Sequence, residues 1–183
     1  IIIYPGKFQP FSKHHFAVYT HLKKQFPKGD VYVITSDKTT VDLPFSFSDK
    51  KIIAMKYGIP SSNIIYEKNP YSPEFIKNFD LSETILICAY SDKDAGRIST
   101  IKKDGSPAYY QNLTFNLEFT ADKHGYIYIV PKISIIHDGN ELSGTYVRNM
   151  LKYCDEQMFT ELFGWFDPNI YHLMKESIKN ISL

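Results

Sequence analysis

The chain opens on IIIYPGKFQPFSKHHFAVYTHL, a strand signature that runs into a glycine and proline turn and then into a helix start. Ile1, Ile2 and Ile3 are β-branched and uninterrupted by polar residues, the pattern of a strand covered on both faces. Pro5, Gly6 and Pro10 break it. From Phe11 the period becomes helical: Phe16, Tyr19 and Leu22 share a face, and Ser12 stands where it can cap the helix just before His14 and His15. A strand, a tight turn and a helix N-terminus together present unpaired backbone N–H groups and a positive dipole end, which favour a bound phosphate. Lys7, Lys13 and the two histidines add side-chain donors.

The alternation continues along the chain. VYVITSD, Val31 to Asp37, reads as a second buried strand, and a right-handed crossover places its end, Thr35 and Ser36, near Gly6 and Phe8, either as part of a ligand site or as an ordinary strand end. Ser48 is positioned to cap a helix over DKKIIAMKYG, closed by Gly58 and Pro60. NIIYEKNP, Asn63 to Pro70, is a third short strand, and PEFIKNF reads as a helix. ETILICAY is the most continuous strand after the first and is expected beside it at the sheet centre. It runs into YSDKDAGR, Tyr90 to Arg97. In an open α/β sheet the active crevice lies at such strand ends, so Asp92, Lys93, Asp94 and Arg97 are read either as grips for a phosphate or ribose or as a solvated loop.

Ile98 to Gly125 has mixed polarity and reads as a loop holding a hairpin or short helix, an acceptor-site wall or an oligomer contact. YIYIVPKISII, Tyr126 to Ile136, supplies the fifth strand, interrupted by Pro131. HDGNELSGTYVRNML then starts a helix at Ser143, with Thr145 and Arg148 three apart on one face. Two tail helices follow, near Glu156 to Phe163 and from Pro168 to Asn180, with Phe163, Trp165 and Phe166 read as packing the tail onto the core and stacking of Trp165 on a base as the alternative. The pattern predicts an α/β fold, a single doubly wound Rossmann-like domain over 1–183. It has about five parallel strands, helices on both faces, a core at 1–150 and a helical tail at 151–183.

Lys and Arg number 21 against 20 Asp and Glu, so no electrostatic case exists for broad nucleic-acid or anionic-membrane binding; small phosphorylated molecules are the better expectation. Cys88 and Cys154 fit no metal spacing and read as reduced thiols of a cytoplasmic protein. No apolar run approaches a membrane span of ~20 residues. The opening is too short for a signal peptide. No P-loop, HExxH, nucleophile elbow or GxGxxG is present, which removes the usual rival enzymes.

GKFQPFSKHH resembles the first motif of the nucleotidyltransferase superfamily, G-x-F-x-P-x-[HT]-x-G-H, and its FQP core is most similar to NMN adenylyltransferases of the archaeal type. ELSGTYVR, Glu141 to Arg148, resembles the family's I-S-x-T-x-x-[RK] motif and follows a strand near the C-terminus. The chain is also similar to bacteriophage-encoded members, in the SGTxxR helix followed by the aromatic tail LFGWFDPNIY. The likeness is anchored at both ends and weak in the middle. It implies transfer of a nucleotidyl group, adenylyl favoured, from ATP to a phosphorylated acceptor such as NMN, with pyrophosphate released. Cytidylyl transfer from CTP is the alternative within the class. A nucleotide-binding module of the same fold without turnover is the alternative outside it.

The resemblance also implies roles. His15 matches the last histidine of the motif and binds the phosphates as charge builds. Ser12 stands in the place of the first His or Thr and still donates one hydrogen bond, while Lys7 replaces a common arginine. Ser143, Gly144, Thr145 and Arg148 approach the β- and γ-phosphates from a second helix start, Arg148 through its planar fork. Gly6, Phe8, Gln9, His14, Tyr90, Asp92 and Arg97 complete the nucleotide site. His14 takes the place of the family's glycine, so its side chain either points away from the pocket or fills part of it. Mg²⁺ bridges phosphate oxygens, and no protein metal cage is expected. The implied location is the cytoplasm, the host's if the protein is phage-encoded, and a homo-oligomer is admitted.

Overall fold

In a computed structural model the chain is described over residues 1–96, 98–114 and 117–179. Strand β1 (Ile2–Pro5) leads through the glycine turn into helix α1 (Lys13–Gln25) and returns as β2 (Val31–Thr35). Helix α2 (Phe47–Lys56), β3 (Ile64–Tyr66), a 3-10 turn at Glu74–Asn78 and β4 (Ile87–Tyr90) follow. After the short α3 (Asp92–Ala95) come β5 (Tyr110–Asn112) and β6 (Gly125–Ile129). A two-stranded hairpin, β7 (Ile136–His137) and β8 (Asn140–Glu141), precedes α4 (Gly144–Leu151), α5 (Glu156–Phe163) and α6 (Pro168–Lys179).

Six strands form one parallel sheet in the order β3-β2-β1-β4-β6-β5. Ile2 and Ile3 stand opposite Val31 and Tyr32 on one side and Ile87 and Cys88 on the other. The two most apolar runs therefore lie at the centre, as their burial on both faces requires. The strand order reverses between β1 and β4, which makes the C-terminal ends of these strands the crevice of a doubly wound sheet.

One face of the sheet, with Ile2, Tyr4, Val33, Ile87 and Ala89, packs against α1, α2 and α4 to α6 through Leu22, Ile53, Val147, Phe159 and Met174. The other, with Ile3, Ile34, Cys88 and Tyr90, is covered by the 3-10 turn and loop residues such as Phe75, Leu81 and Tyr109.

Four local expectations change. PEFIKNF closes into a 3-10 turn. The cap of α2 is Ser46, not Ser48: Ser46 Oγ accepts from the Asp49 N–H at 3.2 Å, and the Asp49 carboxylate accepts from the Ser46 N–H at 2.9 Å. That reciprocal pair satisfies two donors that a Ser48 start would leave open. The last strand of the central sheet stops at Ile129, because Pro131 has no N–H for the ladder, and Ile136 joins the separate hairpin. The sixth strand, β5, lies inside the stretch read as a loop. It pairs Tyr110, Gln111 and Asn112 with Gly125, Tyr126 and Ile127 at the sheet edge.

Candidate functional site

The turn after β1 is held in an unusual course. Phe8 has φ 44°, a left-handed value that costs a side-chain-bearing residue strain, and the Gln9–Pro10 peptide is cis. The Phe8 ring sinks among Tyr4, Phe11 and His15 at centroid distances of 5.1, 5.3 and 5.0 Å. A Cβ on Gly6 would lie 2.7 Å from that ring, so the first motif glycine makes room for the phenylalanine. Gln9 is buried, and its side chain is spent on the chain before α2. Nε2 donates to the Phe45 carbonyl at 2.8 Å, and Oε1 accepts from the Phe45 N–H at 2.9 Å.

Ser12 caps α1 and organises both histidines. Its N–H donates to His15 Nδ1 at 3.2 Å, and its hydroxyl lies 2.9 Å from His14 Nδ1 and 3.4 Å from His15 Nδ1. One hydroxyl proton can serve one of these. With the proton on the His14 bond and the N–H on His15, both Nδ1 atoms accept and both Nε2 atoms carry N–H donors. The rings lie 3.8 Å apart at 41°, so His14 does not turn away but fills space beside His15. Burial favours the neutral form of each. His15 is pushed well below the ordinary histidine range, with the His14 charge adding to the effect, and His14 goes down to about 4, with Glu141 opposing. Lys7 is exposed, and Lys13 is turned to the Glu161 carbonyl of α5.

The start of α4 arrives from the other side. Ser143 caps α4, its hydroxyl accepting from the Tyr146 N–H at 3.2 Å. Arg148 Nη1 donates to the Gln9 carbonyl at 2.6 Å across 139 residues of sequence, and Nη2 donates to Thr145 Oγ1 at 3.2 Å. A Cβ on Gly144 would lie 3.0 Å from that same carbonyl oxygen, so the helix start rests against the first turn. Burial lowers the Arg148 pKa, with the charge of Asp42 working against it. Two helix N-termini and their donors therefore meet over one turn, an arrangement suited to an anion with several oxygens.

The remaining candidates divide. The Tyr90 ring lies in the cluster on the opposite sheet face, packed on Tyr71 at 6.0 Å, and is not brought to the histidines. Its hydroxyl is buried without a hydrogen-bond partner among the described residues. Asp92 is exposed at the start of α3, at the same end of the sheet as Gly6. Arg97 lies outside the described residues. Thr35 reaches the first turn as expected, its hydroxyl 3.4 Å from the Lys7 carbonyl.

Lys50 is the residue that sequence reasoning missed. It is 2% exposed and donates to Thr35 Oγ1 at 3.3 Å and the Ser36 carbonyl at 2.5 Å. A lysine in a polar helix start reads as surface, and nothing in the local pattern marks it. Away from this site, shallow clefts of about 450 and 290 Å³ lie along β5, around Gln111 and His124. The convergent donors lie elsewhere, where Arg148 and the start of α4 meet the turn at Gln9. No helix of the described residues is long and apolar enough to cross a membrane.

No protein-family model and no curated protein matches the chain. Among solved structures it is similar to a bifunctional NMN adenylyltransferase/ADP ribose pyrophosphatase from Francisella tularensis, with a TM-score of 0.57 at 12% identity. The match covers 98% of this chain and 51% of that one, so the chain spans about half the neighbour's length. At this identity the likeness shows the fold alone, a Rossmann-like parallel sheet flanked by helices, and leaves the chemistry to the residues.

Proposed function

We propose that the protein is a nucleotidyltransferase, adenylyl favoured, which joins the α-phosphate of a nucleoside triphosphate to a phosphorylated small-molecule acceptor and releases pyrophosphate. The observation that carries the reading is the meeting of the two motifs at Gln9, where Arg148 and the start of α4 close on the turn that leads to His15. The neighbour from Francisella tularensis is an NMN adenylyltransferase as well as an ADP ribose pyrophosphatase, which supports the reading.

The reaction needs an acceptor phosphate oxygen in line with the α-phosphorus and a stabilised pyrophosphate leaving group. No covalent intermediate on the protein is required. His15, neutral and with Nδ1 accepting from the Ser12 N–H, carries its proton on Nε2 and donates it to a phosphate oxygen as charge accumulates there. His14 offers a second such donor. The N-terminus of α4, the Thr145 hydroxyl and Arg148 hold the β- and γ-phosphates. The donors gathered here are N–H, hydroxyl and guanidinium groups, which suit phosphate oxygens and not a cation. Mg²⁺ therefore enters with the triphosphate as part of the substrate.

Pyrophosphate release measured with ATP and with CTP, each against NMN and other phosphorylated acceptors, tests the proposal. Turnover with ATP and one acceptor is expected. Turnover with CTP alone would make it a cytidylyltransferase. Triphosphate binding without turnover on any acceptor would favour a binding module of the same fold.

A further inference from the structure

Lys50 takes no part in the chemistry above, yet its position is costly. An ammonium buried in a protein core is disfavoured, and a methionine of similar length would fill the same space without that cost. Asp37 and Asp49 offset part of the penalty, but burial prevails and the Lys50 pKa is pushed down to about 8. What the ammonium supplies is several donors at one point. They reach the Ser36 carbonyl and the Thr35 hydroxyl, acceptors that no apolar side chain could hold. The Thr35 hydroxyl continues the path to the Lys7 carbonyl, while the Gly6 N–H donates to the Ile34 carbonyl at 3.0 Å. Lys50 is thus linked through Thr35 to the turn at residues 6–9, which the Gln9 clamp ties separately to Phe45.

We propose that Lys50 is a positioning residue for this turn: through Thr35 it fixes the Lys7 carbonyl, and with it the course of the backbone that leads to His15. The inference rests on the reading of the turn as a phosphate site. Lys50 itself touches no reacting atom.

Three variants of the full chain test it: Lys50→Met, Lys50→Arg and Thr35→Val. The readouts are the ¹⁵N order parameters of Lys7, Phe8 and Gln9 in the free protein and the Kd for MgATP by calorimetry. Lys50→Met removes a buried charge and keeps the volume, so its Tm is expected at or above the parent's. Its order parameters at 7–9 should fall from the rigid value near about 0.85 towards the flexible range below about 0.6. MgATP binding should weaken about tenfold. Thr35→Val should do the same, and the double variant should lose no more than either, because both break one path. Lys50→Arg should recover most of the loss.

A folded Lys50→Met with a rigid turn and the parent's affinity overturns the proposal, as does additivity in the double variant. If Lys50→Met does not fold, Thr35→Val with a rigid turn overturns it equally. A parent that binds no MgATP overturns the phosphate reading, and the order parameters then decide the role of Lys50 by themselves.

Discussion

A single proton decides what His15 can do. With Nδ1 accepting from the Ser12 N–H and burial holding the ring neutral, the remaining proton sits on Nε2, ready to be donated. His15→Ala is therefore expected to abolish measurable transfer with an unchanged circular dichroism spectrum, and His14→Ala to reduce it modestly; the reverse order in a pyrophosphate assay would assign the phosphate contact to His14. The same burial makes the protein acid-sensitive. The His14 pKa is lower folded than unfolded, so the unfolded chain binds more protons, and stability present above about pH 6.5 is lost as pH falls towards about 4. The loss from this residue is bounded at roughly 3 kcal/mol. His15 shifts in the same direction. Chemical denaturation from pH 7 to 4 should show a shallower fall for His14→Gln than for the parent, and parallel curves would contradict the assignment. Of this site, the motif residues were legible because their spacing is local. Lys50 and the Gln9–Phe45 clamp were not, because each depends on segments more than a turn of helix away that only the sheet brings together.

At the scale of the element, α4 works by proximity. A Cβ on its first residue would lie 3.0 Å from the carbonyl that Arg148 also holds, tighter than an ordinary contact. Gly144→Ala sets two effects against each other. Alanine favours the helix over glycine by up to about 1 kcal/mol, yet the Cβ pushes α4 from the first turn by a few tenths of an ångström. The expected outcome is an unchanged or raised Tm with MgATP affinity reduced about tenfold. An unchanged Kd would mean that the contact is incidental. The elements themselves were readable where burial is two-sided: Ile2–Pro5 and Ile87–Tyr90 announce central strands by composition alone. Tyr110–Asn112 does not, since an edge strand of three residues with Gln111 and Asn112 in it owes its pairing to β6 and carries no apolar run of its own. Ser46 and Ser48 present the same choice in sequence, and the reciprocal bond from Asp49 settles it in favour of Ser46.

For the whole molecule, the question is whether residues 151–183 are an appendage or part of what holds the sheet. Phe159, Leu162, Phe163, Ile170, Met174 and Ile178 are all at most 4% exposed and belong to the cluster that contains Ile2, Tyr4 and Phe11. Polar ties run the same way: Lys56 of α2 pairs with Asp167, which caps α6 by accepting from Asn169 and Ile170, and Lys13 of α1 reaches the Glu161 carbonyl of α5. A core shared in this manner cannot be cut without exposing the sheet face under α1, α2 and α4. A chain ending at residue 151 is therefore expected to be insoluble or unfolded. Phe159→Ala is the milder test, because its ring stacks on Phe163 at 4.5 Å and meets Trp165 and Tyr171 at 5.5 and 5.3 Å. Truncating a fully buried phenylalanine costs about 3 to 5 kcal/mol, which in a chain of this length lowers Tm by roughly 6 to 20 °C. The loss should appear as one cooperative transition seen alike by near-UV and far-UV circular dichroism. A separate early transition confined to the tail aromatics, with the rest melting at the parent's temperature, would show the tail to be an independent unit.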